Sequence, residues 1–327
     1  MNYRMLGQTG LRVSEVGLGA YPIAGKQQRA DGSVEVWSGT SDDESVVLIH
    51  RAEELGVNLL DSAEGYGSGH SEELVGKALK GRRDRWVIAT KVQPNRAIDR
   101  EKPDEAAVRK RLLDACEGSL KRMQTDYIDV YQLHSIPPDW AMPTVMDTLA
   151  QLKAAGKVRW YGISTNNREA IDKLRASGPI QVLQIGYNLL ERSADDLLHW
   201  AKRENIGTLI RVPLAKGQLT GKYFGDNAQQ IPENDLRYER FQRPEVQAGL
   251  KKLPQLLFLQ TPQRTMAQAA LRFVLDHPGV SCVIAGAKNR EQIAANTKAS
   301  DLPPLTADEL SRALPIADTI GTARWIG

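Results

Sequence analysis

Four polar residues stand at or just after the ends of apolar runs in the first half of the sequence. Asp61, Lys91 and His134 each close a separate run of apolar residues, and Tyr66 lies in the glycine-rich loop that follows Asp61. If the three runs are neighbouring parallel strands, their carboxyl ends meet at one edge, and the four side chains share one pocket. The spacing therefore predicts a catalytic group assembled from consecutive strands.

The types of these residues indicate acid–base chemistry on an oxygen atom. A phenol has a pKa of about 10, so Tyr66 needs a nearby cation to exchange a proton around neutral pH. Lys91 supplies such a cation, and Asp61 is placed to compensate the charge of a half-buried ammonium. His134 can donate a hydrogen bond to a substrate oxygen. The set predicts general acid–base catalysis on a carbonyl or alcohol, with Tyr66 as the proton donor.

Each of the four residues also has an ordinary structural interpretation. An aspartate at a strand end is often a turn residue, and a histidine there is often a core residue with its hydrogen bonds satisfied. A tyrosine in a glycine-rich loop often only packs against its neighbours. The coincidence of all four at the same ends of successive strands favours the catalytic interpretation.

Eight short apolar runs bounded by turn residues recur along the chain. They span residues 13–19, 57–62, 86–92, 127–134, 158–164, 182–187, 208–213 and 280–286. Helical patterns separate most of them, and the first of these begins with a capping box formed by Ser41 and Glu44 and ends at Gly56. The other helical patterns cover residues 71–79, 103–123, 142–155, 168–176, 195–205 and 265–276.

This alternation indicates an α/β fold, and eight is the number of strands that closes a (β/α)8 TIM barrel. We expect residues 1–327 to form a single barrel domain with an N-terminal β-hairpin around residues 7–10 lying beside the barrel. Long loops at 25–40 and 215–262 are expected on its C-terminal face. A doubly wound sheet with a dinucleotide fingerprint is disfavoured, because Gly17 and Gly19 are followed by no third glycine at the required offset.

The composition argues against several classes of protein. The chain has 327 residues, 43 Lys and Arg against 40 Asp and Glu, and a formal net charge of +3. Its basic residues are scattered, which argues against a nucleic-acid partner. Because no window of about eighteen apolar residues and no secretory signal is found, we expect a cytoplasmic protein without a membrane partner. Cys116 and Cys282 belong to no metal-binding motif, and we expect no metal.

Several segments resemble signature segments of the aldo-keto reductase superfamily. They are residues 58–67, 88–91, 129–134, 156–164, 213–223 and 284–288, followed by Gln292 and Asn296. Their order and spacing extend the resemblance over nearly the whole chain. It implies a (β/α)8 barrel that binds a nicotinamide cofactor, NADPH more than NADH, across its C-terminal mouth without a Rossmann domain.

Within this resemblance, Asp61, Tyr66, Lys91 and His134 match the catalytic tetrad of the family. The match implies that hydride passes from the nicotinamide to an aldehyde or ketone carbon while Tyr66 protonates the oxygen. Lys91 and Asp61 would tune the tyrosine, and His134 would orient the carbonyl. The residues alone indicate only the acid–base part of this scheme.

The resemblance also implies which residues contact the cofactor. The expected contacts are Ser164, Gln184, Arg211, Leu214, Lys216, Gly217, Gly286, Lys288, Gln292 and Asn296. In that order, the first two match residues that hold the nicotinamide carboxamide, and the last two match the adenine end. The group at residues 214–217 matches the pyrophosphate loop.

Three positions depart from the family pattern. Thr165 replaces a common asparagine, Arg211 replaces a common aromatic residue that stacks on the nicotinamide, and Gly286 replaces a lysine that some members direct at the 2′-phosphate. Preference for NADPH therefore depends on Lys288 and Arg290. These two equally suit the solvated start of a helix.

Aromatic residues in the loops are candidates for the substrate pocket. Tyr21, Trp37 and Trp140 are expected there, and each equally suits a loop anchor. The identity of the carbonyl compound and the oligomeric state are left open by the sequence.

The leading hypothesis is an NADPH-dependent reductase of small aldehydes or ketones. The alternative from another class is a cofactor-binding regulatory subunit of the channel β-subunit type, with slow or vestigial chemistry. A barrel hydrolase or lyase is disfavoured, because neither a metal-binding spacing nor a second well-placed carboxylate accompanies Asp61 and His134.

Overall fold

Eight parallel strands close into a barrel in a computed structural model that describes residues 1–28, 34–36, 41–96, 101–225, 228–233, 235 and 237–320. The barrel strands, numbered here one to eight in chain order, are Val16–Gly19, Leu59–Asp61, Val87–Val92, Ile128–Leu133, Val158–Ser164, Val182–Gly186, Gly207–Arg211 and Cys282–Gly286. Each strand pairs with its successor, and the eighth pairs with the first. The predicted (β/α)8 barrel and its eight strand positions are therefore confirmed.

The helices that separate the strands begin and end close to their predicted limits. Their bounds are Asp42–Glu54, His70–Leu79, Glu105–Met123, Met142–Ala154, Arg168–Ser177, Asp195–Arg203 and Met266–Asp276. Two further helices, Arg290–Lys298 and Ala307–Ile320, follow the eighth strand, and the sequence patterns did not predict their limits. The capping box of Ser41 and Glu44 is present, and Gly56 follows the first helix with a φ of 83°. The third helix begins two residues after the predicted Pro103, because the Asp104 side chain accepts from the Ala107 amide.

The N-terminal hairpin closes the bottom of the barrel instead of lying beside it. Its strands Tyr3–Met5 and Arg12–Ser14 pair antiparallel, and Leu6 and Leu11 are buried with apolar residues of the barrel interior. Leu6 also packs against Gly207, the first residue of the seventh strand. The expectation of a peripheral hairpin is wrong, since these two apolar residues gain more by filling the barrel end than by lying on its surface.

The segment at 215–262 contains helices as well as loops. Tyr238–Phe241 and Pro244–Lys252 are helical, and their buried residues form a second core with the helix Ala307–Ile320. Phe241 and Val246 are buried in this second core. In the sequence, the surrounding Gly, Gln and Pro residues obscure this apolar pattern. The other expected loop, at 25–40, includes a short antiparallel pair, Lys26–Gln28 with Val34–Val36.

Most of the apolar core lies between the barrel strands and the helices that surround them. Cys116 and Cys282 are both buried and unpaired, as small core residues. None of the described helices has a stretch that is both long and apolar enough to cross a membrane.

Candidate active site

The four predicted catalytic residues lie together at the carboxyl ends of the second, third and fourth strands. Lys91 Nζ is 2.7 Å from Asp61 Oδ2 and 3.1 Å from the Tyr66 hydroxyl. It also donates to the carbonyl oxygen of Ser62 at 2.7 Å. The rings of Tyr66 and His134 meet edge to face, with centroids 5.7 Å apart.

Strand alternation explains why these side chains point into the barrel. Several strands each contribute a residue to the apolar cluster inside the barrel. Because side chains alternate along a strand, the residue two positions further on also points into the barrel, one layer nearer the mouth. Leu59 is followed by Asp61, Ala89 by Lys91, Val130 by Gln132, Val182 by Gln184 and Leu209 by Arg211. This upper layer, Asp61, Lys91, Gln132, Gln184 and Arg211, is called the polar layer below.

The Lys91 ammonium is fully buried and fully bonded. It has three protons, and Asp61, Ser62 and Tyr66 accept all three. Burial alone would lower the pKa of Lys91, but the charge of Asp61 and the nearby Tyr66 outweigh burial and raise it. Lys91 is therefore charged at neutral pH.

Two glutamines hold the other oxygen of the Asp61 carboxylate. Gln184 Nε2 donates to Asp61 Oδ1 at 2.8 Å, and Gln132 Nε2 donates to the same oxygen at 3.3 Å. Sequence reasoning did not single out Gln132, although its position two residues after the inward Val130 is the same signal that identifies Asp61. Asp61 Oδ1 thus accepts from two amides, and Asp61 Oδ2 accepts from Lys91. A carboxyl group that accepts at both oxygens is bonded as an ionised carboxylate.

The Tyr66 phenol is protonated in this environment. Burial raises its pKa above the ordinary value, and the Lys91 charge opposes this only in part. Because Lys91 donates to the Tyr66 oxygen, the phenol's own proton does not point at Lys91. That proton remains available to an acceptor in the mouth.

His134 is a neutral imidazole throughout the physiological pH range. Burial, together with the charges of Lys91 and Arg211, lowers its pKa to about 3. Its Nδ1 atom is buried and has no hydrogen-bond partner in the part of the chain that the structure describes. A neutral ring of this kind can donate one hydrogen bond to a substrate oxygen and carries no charge of its own.

The opposite side of the mouth contains the loop expected to hold the cofactor's pyrophosphate. The turn Ala215–Thr220 follows the seventh strand, and Leu214 precedes it. Gly217 has a φ of 105°, which suits glycine. Gln218 Nε2 is buried without a partner, and Lys216 forms no ion pair within the described part of the chain. Burial lowers the pKa of Lys216 to about 8. A donor without a partner and an unpaired cation fit an anionic ligand such as a pyrophosphate.

The residues expected at the adenine end lie beyond the eighth strand. Gln292 Oε1 accepts from the Lys288 amide at 2.9 Å, and Asn296 Nδ2 donates to the Gly286 carbonyl at 3.2 Å. The departure at Gly286 has a steric reason, because a Cβ there would lie 2.7 Å from Pro22 Cγ. Any longer side chain at this position would require Pro22 to move.

Comparison with known proteins decides the family. A family model described as Aldo/keto reductase family matches residues 15–316. The chain belongs to this family. Aldo-keto reductase YhdN from Bacillus subtilis is 35% identical over 304 residues, covering 90% of this chain and 87% of the relative. A probable voltage-gated potassium channel subunit beta from Oryza sativa subsp. japonica is 31% identical, covering 95% and 94%.

A solved structure agrees with this assignment. The crystal structure of an aldo-keto reductase from Klebsiella pneumoniae in complex with NADPH has a TM-score of 0.73 and 26% identity, covering 97% of this chain and 95% of that one. The resemblance inferred from the sequence motifs is confirmed. The protein is an NAD(P)H-dependent oxidoreductase with an aldo-keto reductase barrel.

Ser164 and Gln184, expected near the nicotinamide of this aldo-keto reductase, are bonded to each other, and Gln184 is also bonded to the tetrad. Ser164 Oγ donates to Gln184 Oε1 at 3.4 Å, while the Gln184 amide nitrogen bonds to Asp61. The residue after Thr165 is an asparagine, and Asn166 exchanges two hydrogen bonds with the Gly186 backbone. Gln184 therefore links the expected cofactor side of the reductase to its catalytic side.

The aromatic residues expected in the substrate pocket of the reductase have three different outcomes. The Tyr21 ring lies 4.7 Å from the Tyr66 ring, measured between centroids. Trp140 lies in the turn Asp139–Ala141 and packs partly against the main core. Trp37 falls outside the described residues. Tyr21 is thus the pocket candidate that contacts the catalytic group.

A group of potential metal ligands lies away from the mouth of the reductase barrel. Asp195, His199 and His277 place their ligand atoms within 4.8 Å of one another. His277 Nδ1 accepts from the Gly279 amide at 3.0 Å, which leaves the proton of the neutral ring on Nε2, 3.3 Å from Asp195. The Tyr187 hydroxyl also donates to Asp195. Although Asp195 lies 3.3 Å away, His277 Nε2 makes no hydrogen bond to any described residue.

Proposed function

We propose that this protein reduces aldehydes or ketones to alcohols with NADPH, and that Tyr66 donates the proton. The observation that carries the proposal is the bonding of Lys91. Its three protons are committed to Asp61, Ser62 and the Tyr66 oxygen, which fixes the phenol and leaves the phenol proton for a substrate.

Bound NADPH supplies a hydride to the carbonyl carbon. The side chains of this protein act on the carbonyl oxygen. His134 donates a hydrogen bond that orients and polarises the carbonyl, and Tyr66 transfers its proton to the oxygen as negative charge develops there. Lys91 stabilises the resulting phenolate, and Asp61 keeps Lys91 charged inside the barrel.

The proposed cofactor contacts extend from the polar layer to the last helices of the barrel. Ser164 and Gln184 would hold the carboxamide end, while Arg211 would lie at the nicotinamide. Leu214, Lys216 and Gly217 would hold the pyrophosphate. The adenine end and 2′-phosphate would contact Gly286, Lys288, Gln292 and Asn296. Preference for NADPH over NADH is assigned to Lys288, a half-buried cation, and to Arg290 at the start of the helix Arg290–Lys298, because both charges suit a phosphate.

Replacement of the phenol hydroxyl tests the proposal. Tyr66→Phe is expected to lower kcat for aldehyde reduction by about 10²- to 10⁴-fold, the usual contribution of a positioned proton donor. NADPH binding, followed by quenching of protein fluorescence, should be retained. Tyr21→Phe is the matched control, because it removes a hydroxyl from the neighbouring ring and should keep most of the turnover. Undiminished turnover of Tyr66→Phe would exclude Tyr66 as the proton donor.

The channel-subunit relative supports a second candidate function, a cofactor-binding regulatory subunit. The two functions predict different results with the unmodified protein. A reductase oxidises NADPH when a panel of aldehydes is added, which is seen as a fall in the absorbance of the reduced cofactor. Tight NADPH binding without turnover of any aldehyde would support the regulatory function instead.

A further inference from the structure

Glu64 is a buried carboxylate near the mouth to which the proposed mechanism gives no role. It lies in the loop between Asp61 and Tyr66, and only 8% of its surface is exposed. A buried carboxylate is costly unless its charge is paired and its oxygens accept hydrogen bonds. The Arg111 guanidinium, on the helix Glu105–Met123, donates to Glu64 Oε1 and forms an ion pair with it. Glu64 is therefore a paired charge inside the barrel wall, two residues before the proposed proton donor.

The same carboxylate oxygen also binds the backbone of the neighbouring strand. Glu64 Oε1 accepts a hydrogen bond from the Gln93 amide at 2.7 Å. Gln93 directly follows the third strand, Val87–Val92, and lies two residues after Lys91. The Glu64 amide in turn donates to the carbonyl oxygen of Lys91 at 3.1 Å. Glu64 thus attaches the Tyr66 loop at two successive points to the strand that contains Lys91.

The end of the third strand is bonded to the end of the fourth strand as well. The His134 amide donates to the Val92 carbonyl at 2.8 Å, and the Ser135 hydroxyl donates to Gln93 Oε1 at 3.1 Å. The backbone around Gln93 therefore connects the Tyr66 loop to His134, the residue that would orient the substrate carbonyl.

Proton transfer depends on how precisely the Tyr66 loop is held. The Tyr66 hydroxyl lies 3.1 Å from Lys91 Nζ, and the ammonium is fixed because all three of its protons are bonded. The position of the hydroxyl then depends on its own loop, in which Gly65 and Gly67 flank Tyr66. Glycine restricts the backbone less than any other residue, so the loop needs an external anchor. The bond from Gln93 to Glu64 supplies one.

We propose that Glu64 is a positioning residue for the proton donor, and that it holds the Tyr66 hydroxyl against Lys91 by binding the Gln93 amide. The inference rests on the proposed reductase function and adds a residue to it. Arg111 has a different part, because it balances the Glu64 charge and so permits its burial. Loss of the bond to Gln93 should therefore impair catalysis, whereas loss of the ion pair should impair stability.

Two substitutions separate the hydrogen bond from the charge. Glu64→Gln keeps an oxygen that accepts from the Gln93 amide, whereas Glu64→Met occupies a similar volume without such an acceptor. With saturating NADPH, Glu64→Met should lower kcat for aldehyde reduction by about 10- to 100-fold, as expected for a misplacement of roughly 1 Å. Glu64→Gln should keep most of kcat. The KM for the aldehyde and the dissociation constant of NADPH should change little in both variants.

Asp129 provides a matched control at the opposite end of the same strand. Its carboxylate is also buried, accepts from the Ile88 amide at 2.9 Å and forms an ion pair with Arg83. Asp129→Leu should lower the free energy of unfolding, because it removes a buried carboxylate bonded in the same way as that of Glu64. It should leave kcat nearly unchanged, because Ile88 lies near the start of the strand, away from the mouth.

The double variant Glu64→Met with Arg111→Met distinguishes positioning from stability. It removes both members of the ion pair, so urea unfolding should show that much of the stability lost in Glu64→Met returns. It restores no acceptor for the Gln93 amide, so kcat should stay low. The solvent deuterium isotope effect on kcat should increase in both variants, because transfer of the Tyr66 proton becomes slower. If Glu64→Met is insoluble, the double variant is compared with Glu64→Gln.

The outcomes separate this inference from the proposed function. Unchanged kcat in Glu64→Met overturns the positioning role, and so does a kcat that recovers together with stability in the double variant. Equal losses of kcat in Glu64→Met and Glu64→Gln, or in Glu64→Met and Asp129→Leu, also overturn it. In each case the reductase remains, provided that Tyr66→Phe still removes most of the turnover. Absence of turnover by the unmodified protein with a wide aldehyde panel overturns both.

Discussion

Gln184 Nε2 donates a hydrogen bond to Asp61 Oδ1 at 2.8 Å across the full width of the barrel. The two residues lie on opposite strands of the barrel, since the second and sixth strands are four places apart in either direction around the closed sheet. Gln132 bonds to the same oxygen and to Gln184. Asp61, Lys91, Gln132 and Gln184 of the polar layer therefore form a connected network that fixes the carboxylate.

Removing the Gln184 amide should destabilise the protein more than removing the Gln132 amide. Gln184→Met deletes a 2.8 Å bond to a buried carboxylate, and we expect a loss of about 1–3 kcal/mol in the free energy of unfolding. Gln132→Met, the control, deletes a 3.3 Å bond and should cost less. Urea denaturation of both variants measures the difference. Equal losses would mean that the bond across the barrel has no special contribution.

The ion pair of Asp61 and Lys91 should be more important for function than for stability. Asp61→Leu leaves the fully buried Lys91 without its carboxylate and should destabilise the protein by about 3–5 kcal/mol. The double variant Asp61→Leu with Lys91→Met removes both charges and should recover much of that loss while remaining inactive. Thermal or urea unfolding and a reductase assay measure the two effects. A double variant no more stable than Asp61→Leu would contradict this prediction.

The rate of reduction at saturating cofactor and substrate should be nearly independent of pH between about 5 and 9. The pKa of His134 is about 3, so the ring is neutral across this range, and the raised pKa of Tyr66 keeps the phenol protonated. A decline should begin only above pH 10, where the proton donor is lost. The pH profile of kcat tests this, and a descending limb between pH 7 and 9 would show that Tyr66 ionises more easily than its surroundings indicate.

Affinity for NADPH should depend on pH through Lys216. Its pKa is about 8, so the ammonium is charged below that pH and becomes neutral as the pH rises through it. Because the charged form attracts phosphate, the dissociation constant of NADPH should increase several-fold from pH 7 to pH 9. Lys216→Arg keeps its charge over this range and should bind NADPH with little dependence on pH. Parallel pH dependence in both proteins would remove Lys216 as the cause.

Gly162 is required by the close approach of two strands. A Cβ on this residue would lie 1.9 Å from the carbonyl oxygen of Val182, its paired residue on the sixth strand. Gly162→Ala should therefore destabilise the barrel by about 3 kcal/mol or more, or abolish soluble expression. Gly118→Ala is the control, because its Cβ would meet only the flexible end of Arg122 inside a helix. That substitution should stabilise the protein slightly.

The sequence by itself determined the strand and helix positions and the group of Asp61, Tyr66, Lys91 and His134. Apolar runs, capping residues such as Ser41 and glycines after helices act over a few residues, so their effects can be inferred locally. The eightfold alternation then places the strand ends at one mouth. The geometry brings those four side chains together, while their catalytic roles remain predictions.

Only the tertiary structure decided which distant groups meet. The bond from Gln184 to Asp61 joins residues 123 positions apart, and the steric reason for Gly286 depends on Pro22. The hairpin's place at the bottom of the barrel depends on Leu6 meeting Gly207. Only the packed structure shows that the Arg211 Nε atom is buried with no hydrogen-bond partner among the described residues. These features follow from barrel closure and packing, which bring together residues that no local pattern relates.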